Sequence, residues 1–250
     1  MIKLIVSDLD GTLLPYGQRE ISHRAKGLIY KALDMGIDFA VSSGRTYLQL
    51  AALLPEFLDD IYYIADDGAY YVRRKRVLYS RHIDREELSR FPASAAGSAP
   101  CIFHGAFEDF RLGDIPKEYE GELLRFSQGE PKTFNGGERI YKITSLAPPL
   151  RLPPYSKLRL HWNAAEGISA TQYVNRFCNK GASLSDLKLR LFLSGIETAI
   201  LGDAENDIPM MKGAKYAYAI GDASRSVASA ATNTAASAEE ALERILCSAK

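Results

Sequence analysis

The sequence is poor in cysteine: Cys101, Cys178 and Cys247 are its only thiols, an odd and widely spaced set with no CxxC pair. That excludes a disulfide framework and a thiolate zinc site, and fits reduced thiols in a cytoplasmic protein. No apolar run approaches the roughly 20 residues needed to cross a bilayer, so no membrane partner is expected. Neither sign of charge is in excess, with 31 Lys+Arg against 31 Asp+Glu. A dedicated nucleic-acid binder would need a basic surplus for its phosphate contacts. GxGxxG and GKS/GKT stretches are missing, which leaves dinucleotide and P-loop chemistry without support. The histidines, His23, His82, His104 and His161, show no metal spacing, and solvated or packed roles are expected for them. The opening Met1-Ile2-Lys3-Leu4-Ile5-Val6 has no signal-peptide body and reads as the start of a fold. Monomer and dimer are both open.

What is present is ordinary globular material: 250 residues, 46% hydrophobic and 25% charged, enough for one large core or two smaller ones. Short apolar runs recur at Leu4-Ile5-Val6, Ile37 to Val41, Ile61 to Ile64, Thr198 to Leu201 and Tyr216 to Ile220. Each precedes a small or acidic turn and then a helical pattern, which predicts strands buried on both faces of a parallel sheet. Ser22 is placed to cap a helix running to about Met35, with Gly36 as its left-handed stop. Ser183-Leu184-Ser185-Asp186 has capping-box spacing, ahead of Leu184, Leu187 and Leu191 on one helical face. Ser237 to Glu240 repeats the device before a final helix carrying Leu242 and Ile245. The class is α/β, with a Rossmann-like, doubly wound parallel-sheet core.

From about Asp84 to Phe177 this rhythm disappears. A small-residue stretch (Phe91 to Pro100), a proline cluster (Pro148 to Pro154) and aromatics around Trp162 replace it. The expectation is a discontinuous core domain, residues 1–83 and 178–250, with an α+β domain inserted at 84–177. Arg73 to Arg76, between Tyr70-Tyr71-Val72 and Val77-Leu78-Tyr79, predicts a solvated hairpin tip. The Ala/Ser-rich segment from Ala223 to Ala241 reads as small-residue packing within the core.

The chemistry-bearing residues fall where core strands end. Asp8-Leu9-Asp10-Gly11-Thr12-Leu13-Leu14 follows the first strand directly. In an open α/β sheet, ligands bind beyond the carboxyl ends of strands. Two carboxylates this close repel unless a divalent cation offsets them, and one of them can then attack phosphorus. Gly202-Asp203-Ala204-Glu205-Asn206-Asp207 follows another strand. Asp203 can reach the same cation. Asp207 is either a ligand or a helix N-terminal acid favoured by the dipole. Asn206 is a neutral donor for a lysine or a phosphate oxygen, and Glu205 faces solvent. Ser42-Ser43-Gly44-Arg45 opens a helix, a ready anion-binding position, with either serine a candidate. Asn179-Lys180-Gly181 brings a cation to the point where the chain re-enters the core.

Taken in order, DLDGTLL, SSGR, NKG and GDAENDIPMM are similar to the motifs of the haloacid dehalogenase-like hydrolase superfamily. More narrowly the chain resembles the Cof-type, subclass IIB, phosphatases, which carry a large α+β cap between the second and third motifs. The resemblance covers about residues 1–83 and 178–250. It implies a Mg2+-dependent phosphatase of small phosphorylated metabolites, sugar phosphates favoured, working through an aspartyl-phosphate. In that scheme Asp8 attacks, and Asp10 protonates the leaving alcohol and then deprotonates water. Mg2+ sits on the Asp8 carboxylate, the Asp10 backbone carbonyl and Asp203, with Asp207 in support. Ser43 and Lys180, aided by Gly44, Arg45 and Asn206, hold the phosphoryl group, and the cap closes over it. A phosphosugar mutase and a non-catalytic phosphometabolite sensor are the competing readings. The chain departs from the family at Asp66-Asp67-Gly68-Ala69, where Asn-Gly-Ala is common, and at Gly221-Asp222-Ala223, where Gly-Asn-Ala is.

Overall fold

A computed structural model describes residues 1–89, 91, 101–111, 127, 130–145, 152, 154, 156–163 and 170–248, with backbone alone at 159, 161–163 and 170. Most of the small-residue stretch and of the proline cluster, and the side chains of His161 and Trp162, lie outside the described residues.

The strands of the first part are β1 (Leu4–Asp8), β2 (Asp38–Ser42), β3 (Tyr62–Ala65), β4 (Tyr70–Arg73) and β5 (Arg76–Ser80). Then come β6 (Cys101–His104), β7 (Asp109–Arg111), β8 (Lys132–Thr133), β9 (Lys142–Ser145), β10 (Leu158–Asn163) and β11 (Ala170–Asn175). The chain closes with β12 (Thr198–Gly202), β13 (Tyr216–Ile220) and β14 (Asn233–Ala235). Contacts divide it into two compact units, one of Met1–Arg45, Leu50–Tyr79 and Asn179–Lys250, the other of Thr46–Gln49 and Ser80–Cys178.

The first unit is built on one sheet in the order β14-β13-β12-β1-β2-β3-β4-β5. From β14 to β3 every pairing is parallel, and β4 runs antiparallel to β3. The apolar runs supply its centre: Leu4, Ile5, Val6, Phe39, Val41, Ile200 and Leu201 are all buried. Strand order reverses about β1, flanked by β2 and β12, so a crevice opens beyond Asp8, the last residue of β1. Register sets the neighbouring ends level with it. Asp8 pairs with Ser42, and Ser7 with Leu201.

Local chemistry explains the helix ends. Ser22 accepts the Ala25 N–H at 3.0 Å and caps the helix His23–Asp34. Ser237 accepts from the Glu240 N–H ahead of the helix Ala238–Ser248, on which Leu242 and Ile245 are buried. One expectation is corrected. The helix expected to open at Ser183 starts at Lys180, capped by Asn179, whose side chain accepts the Ala182 N–H at 2.9 Å. Ser183 lies inside it and donates back to the Lys180 carbonyl at 3.0 Å. An Asx cap needs only a short acceptor three residues before its donor, and Asn179 meets that need one turn earlier. The β4–β5 hairpin turns through Arg74 and Lys75, both exposed and left-handed at φ +50° and +56°.

The second unit carries a sheet in the order β10-β11-β9-β6-β7-β8, antiparallel except between β7 and β8. Phe91, Phe103, Ile140, Ile143 and Tyr173 are central to its apolar cluster. His104 is packed: its ring bonds Asp109 at 2.9 Å and Thr144 at 2.8 Å, all three buried. No helix among the described residues is long and apolar enough to cross a membrane.

Candidate active site

At the carboxyl end of β1 the two aspartates of the first motif part company. Asp8 is buried and receives Lys180, whose Nζ donates to Asp8 Oδ1 at 2.5 Å and to Asp207 Oδ1 at 2.6 Å. Lys180 is itself buried and is the first residue of the helix that Asn179 caps. Asp10 is half exposed and turned to Arg45, which donates from Nε to Oδ2 at 2.9 Å and from Nη2 to Oδ1 at 2.5 Å. The two side chains therefore meet different cations.

The loop after β12 is organised by Asp207. Its Oδ2 accepts the N–H groups of Asp203 and Ala204, each at 3.0 Å. Both of its oxygens are thus engaged, one by backbone and one by Lys180, so the acid braces the loop and pairs with the lysine at once. Gly202 makes room for this, since a Cβ there would lie 2.6 Å from Asp207 Oδ2. Asp203 is carried out beside Asp8. One carboxylate oxygen from each of Asp8, Asp203 and Asp207 lies within 4.8 Å of the others.

Charge in this cluster does not balance. Burial, the largest influence, raises the Asp8 carboxyl well above its ordinary range; Lys180 draws it back while Asp207 and Asp203 push it further up. Burial also opposes the charge on Lys180, but Asp8 and Asp207 together hold that ammonium above its ordinary value. Among these residues a single ammonium faces the grouped carboxylates of Asp8, Asp203 and Asp207. An all-oxygen, surplus-negative donor set of this kind fits a hard divalent cation such as Mg2+, and fits a soft metal poorly.

The remaining predicted residues gather at the ends of β2 and β3. Ser43 is buried; its Oγ accepts the Arg45 N–H at 3.1 Å and lies 3.4 Å from Asp10 Oδ2. Ser42, one step earlier in the strand, points its hydroxyl elsewhere, where it has no hydrogen-bond partner among the described residues. Ser43 is therefore the serine on the Asp10 side. Gly44 lies against Asp67, whose Oδ1 is 3.4 Å from where a Gly44 Cβ would stand. Asn206, the neutral donor of this loop, gives one Nδ2 hydrogen bond to Asp67 Oδ1 at 3.2 Å. Asp67 is brought there by consecutive left-handed residues, Asp66, Asp67 and Gly68, with φ +49°, +54° and +85°. Backbone strain of this sort gathers at functional sites.

Sequence reasoning missed three contacts. Thr12 Oγ1 donates to Asp203 Oδ1 at 2.7 Å, and Tyr16 Oη donates to Asp203 Oδ2 at 3.2 Å. Desolvation of the hydroxyl where it meets Asp203, and the Asp203 charge, push the Tyr16 phenol up to about 12, so it remains a neutral donor although the ring is exposed. The third contact is Asp67 on Asn206. The only advance signal was the extra acid at Asp66-Asp67; nothing in the order of residues tied Tyr16 to a loop 187 positions away.

Known proteins resemble this chain along most of its length. A family model described as haloacid dehalogenase-like hydrolase matches residues 5–103 and 162–242. The 5-amino-6-(5-phospho-D-ribitylamino)uracil phosphatase of Escherichia coli (strain K12) is 23% identical over 248 residues, covering 94% of this chain and 91% of that protein. The HMP-PP phosphatase of Yersinia enterocolitica is 25% identical over 243 residues, covering 89% and 85%. Among solved structures, the HAD subclass IIB sugar phosphatase BT4131 shares the fold with a TM-score of 0.71, over 97% of this chain and 98% of that one, at 19% identity.

Proposed function

The chain belongs to the haloacid dehalogenase-like hydrolases, and from that premise we propose that it is a Mg2+-dependent phosphatase of small phosphorylated metabolites, sugar phosphates foremost. The observation that carries this reading is the buried Lys180 ammonium shared between Asp8 and Asp207 with the Asp203 carboxylate alongside. The relatives named for phosphatase activity act on chemically different phosphate compounds, which favours a common reaction over a common substrate.

Asp8 is the nucleophile. Lys180 engages Oδ1, keeps the carboxylate oriented and offsets charge on the phosphoryl oxygens as they approach. A carboxylate oxygen of Asp8 bonds to phosphorus while the ester P–O bond breaks, and the departing alkoxide takes a proton from Asp10. Asp10 then removes a proton from water. That oxygen attacks the phosphorus of the aspartyl-phosphate, and inorganic phosphate leaves with Asp8 restored. Because Arg45 holds the Asp10 carboxylate, proton delivery requires that pair to open, and a phosphate oxygen of substrate is the natural competitor for the guanidinium. Ser43 receives the phosphoryl group beside it.

The carboxylates of Asp8 and Asp203 and the Asp10 backbone carbonyl would hold Mg2+, with Asp207 behind them. Bound there, the cation neutralises the surplus charge and polarises a phosphoryl oxygen.

The test is hydrolysis of p-nitrophenyl phosphate and a sugar-phosphate panel. Turnover should require Mg2+, stop with EDTA, return on adding Mg2+ and vanish in Asp8→Asn. Metal-independent turnover that survives Asp8→Asn would overturn the assignment. In labelled water, a hydrolase places the label in free phosphate and a mutase places little.

A further inference from the structure

Asp203 is gripped from outside its own loop. Thr12 and Tyr16 give it one hydroxyl per carboxylate oxygen, at 2.7 and 3.2 Å. Thr12 is buried, but Tyr16 is 78% exposed. A ring that keeps most of its surface in water gains little from burial, so packing does not explain its place. Tyr16 lines a cavity of about 290 Å3 together with Pro15, Ile220, Ala236 and Ser237. Gly11, at φ +88°, lies where Tyr16 and Asp203 meet, and a Cβ there would come within 2.2 Å of Asp203 Oδ2 and 2.8 Å of Tyr16 Cε2. The backbone is bare where phenol and carboxylate meet.

We propose that Tyr16 is a positioning residue for the cation site, forming with Thr12 a two-hydroxyl clamp that fixes the plane of the Asp203 carboxylate. The inference rests on the reading of Asp8, Asp203 and Asp207 as a Mg2+ site, and adds a residue that none of the four motifs contains. Each carboxylate oxygen has about two acceptor positions. A hydroxyl on each takes one and stops rotation about the terminal torsion, leaving the other for the metal. Mg2+ demands near-ideal octahedral geometry, whereas Ca2+ tolerates irregular shells. Loss of the clamp therefore penalises Mg2+ more than Ca2+.

Titration calorimetry of Mg2+ and of Ca2+ into the whole, metal-stripped protein tests this without any turnover. Tyr16→Phe keeps the ring and removes the hydroxyl, and its Kd for Mg2+ should rise about tenfold, within the 10–100-fold range for residues that orient a ligand. Its Kd for Ca2+ should rise less, with the melting temperature unchanged. Tyr16→Leu should match Tyr16→Phe. A Kd for Mg2+ within twofold of wild type in Tyr16→Phe overturns the proposal, as does loss confined to Tyr16→Leu, which would assign the effect to the ring. Failure of the wild-type protein to bind Mg2+ is a different result and removes the cation site itself.

Discussion

The two units each bury a polar cluster, and the clusters are built in opposite ways. In the second unit His104 bonds Asp109 and Thr144, Ser127 donates to Asp109 at 3.0 Å, and Gln172 donates to Thr144 at 3.3 Å. Its core is made of cross-strand neighbours: His104 pairs with Asp109 and Gln172 with Thr144 in the ladders. Apart from Ser127, donors meet acceptors within one sheet, so the network serves the sheet. In the first unit Lys180 and Asp8 come from segments 172 residues apart, and carboxylates outnumber the ammonium between them. Folding alone gives no reason to concentrate negative charge where water is scarce. A bound cation would. A buried polar cluster that closes on itself marks architecture, and one left unbalanced marks a ligand.

Mutations can break that contrast. The largest effect is expected from Asp8→Asn, which should reduce phosphatase turnover to background. Since burial raises the Asp8 carboxyl above its ordinary 3.8, its stabilising contribution is present below that pH and is lost as pH rises through the folded value. The metal-free variant should then melt at or above the wild-type temperature at neutral pH. Lys180→Met leaves Asp8 and Asp207 together without a counter-charge; about 3–5 kcal/mol of stability should disappear in denaturant titrations, along with turnover. Asp10→Asn should slow turnover by roughly 10²–10⁴-fold, the usual range for a lost general acid and base, with unfolding unaltered.

The closed network should answer differently. His104→Leu takes one buried partner from the Asp109 carboxylate and one from the Thr144 hydroxyl, so about 1–3 kcal/mol should be lost in unfolding experiments, while p-nitrophenyl phosphate turnover stays within twofold of wild type. The smallest effect belongs to an exposed pair. Lys3, together with Ser194, lowers Glu197 from 4.5 to about 2. Its contribution is present above 4.5 and lost as pH falls through about 2, so the melting curve of Glu197→Gln against pH should lack only that acid step.

Legibility differed between the units for physical reasons. Strands buried on both faces read as unbroken apolar runs, so β1, β2, β3, β12 and β13 stood out, and Asp8, Ser43 and Asp203 could be placed at or just beyond their ends. Lys180 was found only through its position at the return to the core. Its helix start was misplaced because Asn179 and Ser183 offer the same cap chemistry one turn apart. The second unit mixes an apolar sheet face with His104, Thr144 and Gln172, which erases the alternation that a half-solvated antiparallel strand would show. The Arg45–Asp10 pair, the Asn206–Asp67 bond and the grip of Tyr16 on Asp203 join loops from separate strand ends. Side-chain encounters of that kind leave no periodic trace.

Order along the chain settled which acids, which serine loop and which lysine this protein brings to the ends of its parallel strands, because hydrophobic pattern and turn chemistry are local. Which carboxylate meets which cation was decided in three dimensions. Strand register sets Asp8 level with Ser42, and the helix capped by Asn179 begins at the buried Lys180. Only then do Coulomb attraction and the cost of burial sort Asp8 to the lysine and Asp10 to Arg45.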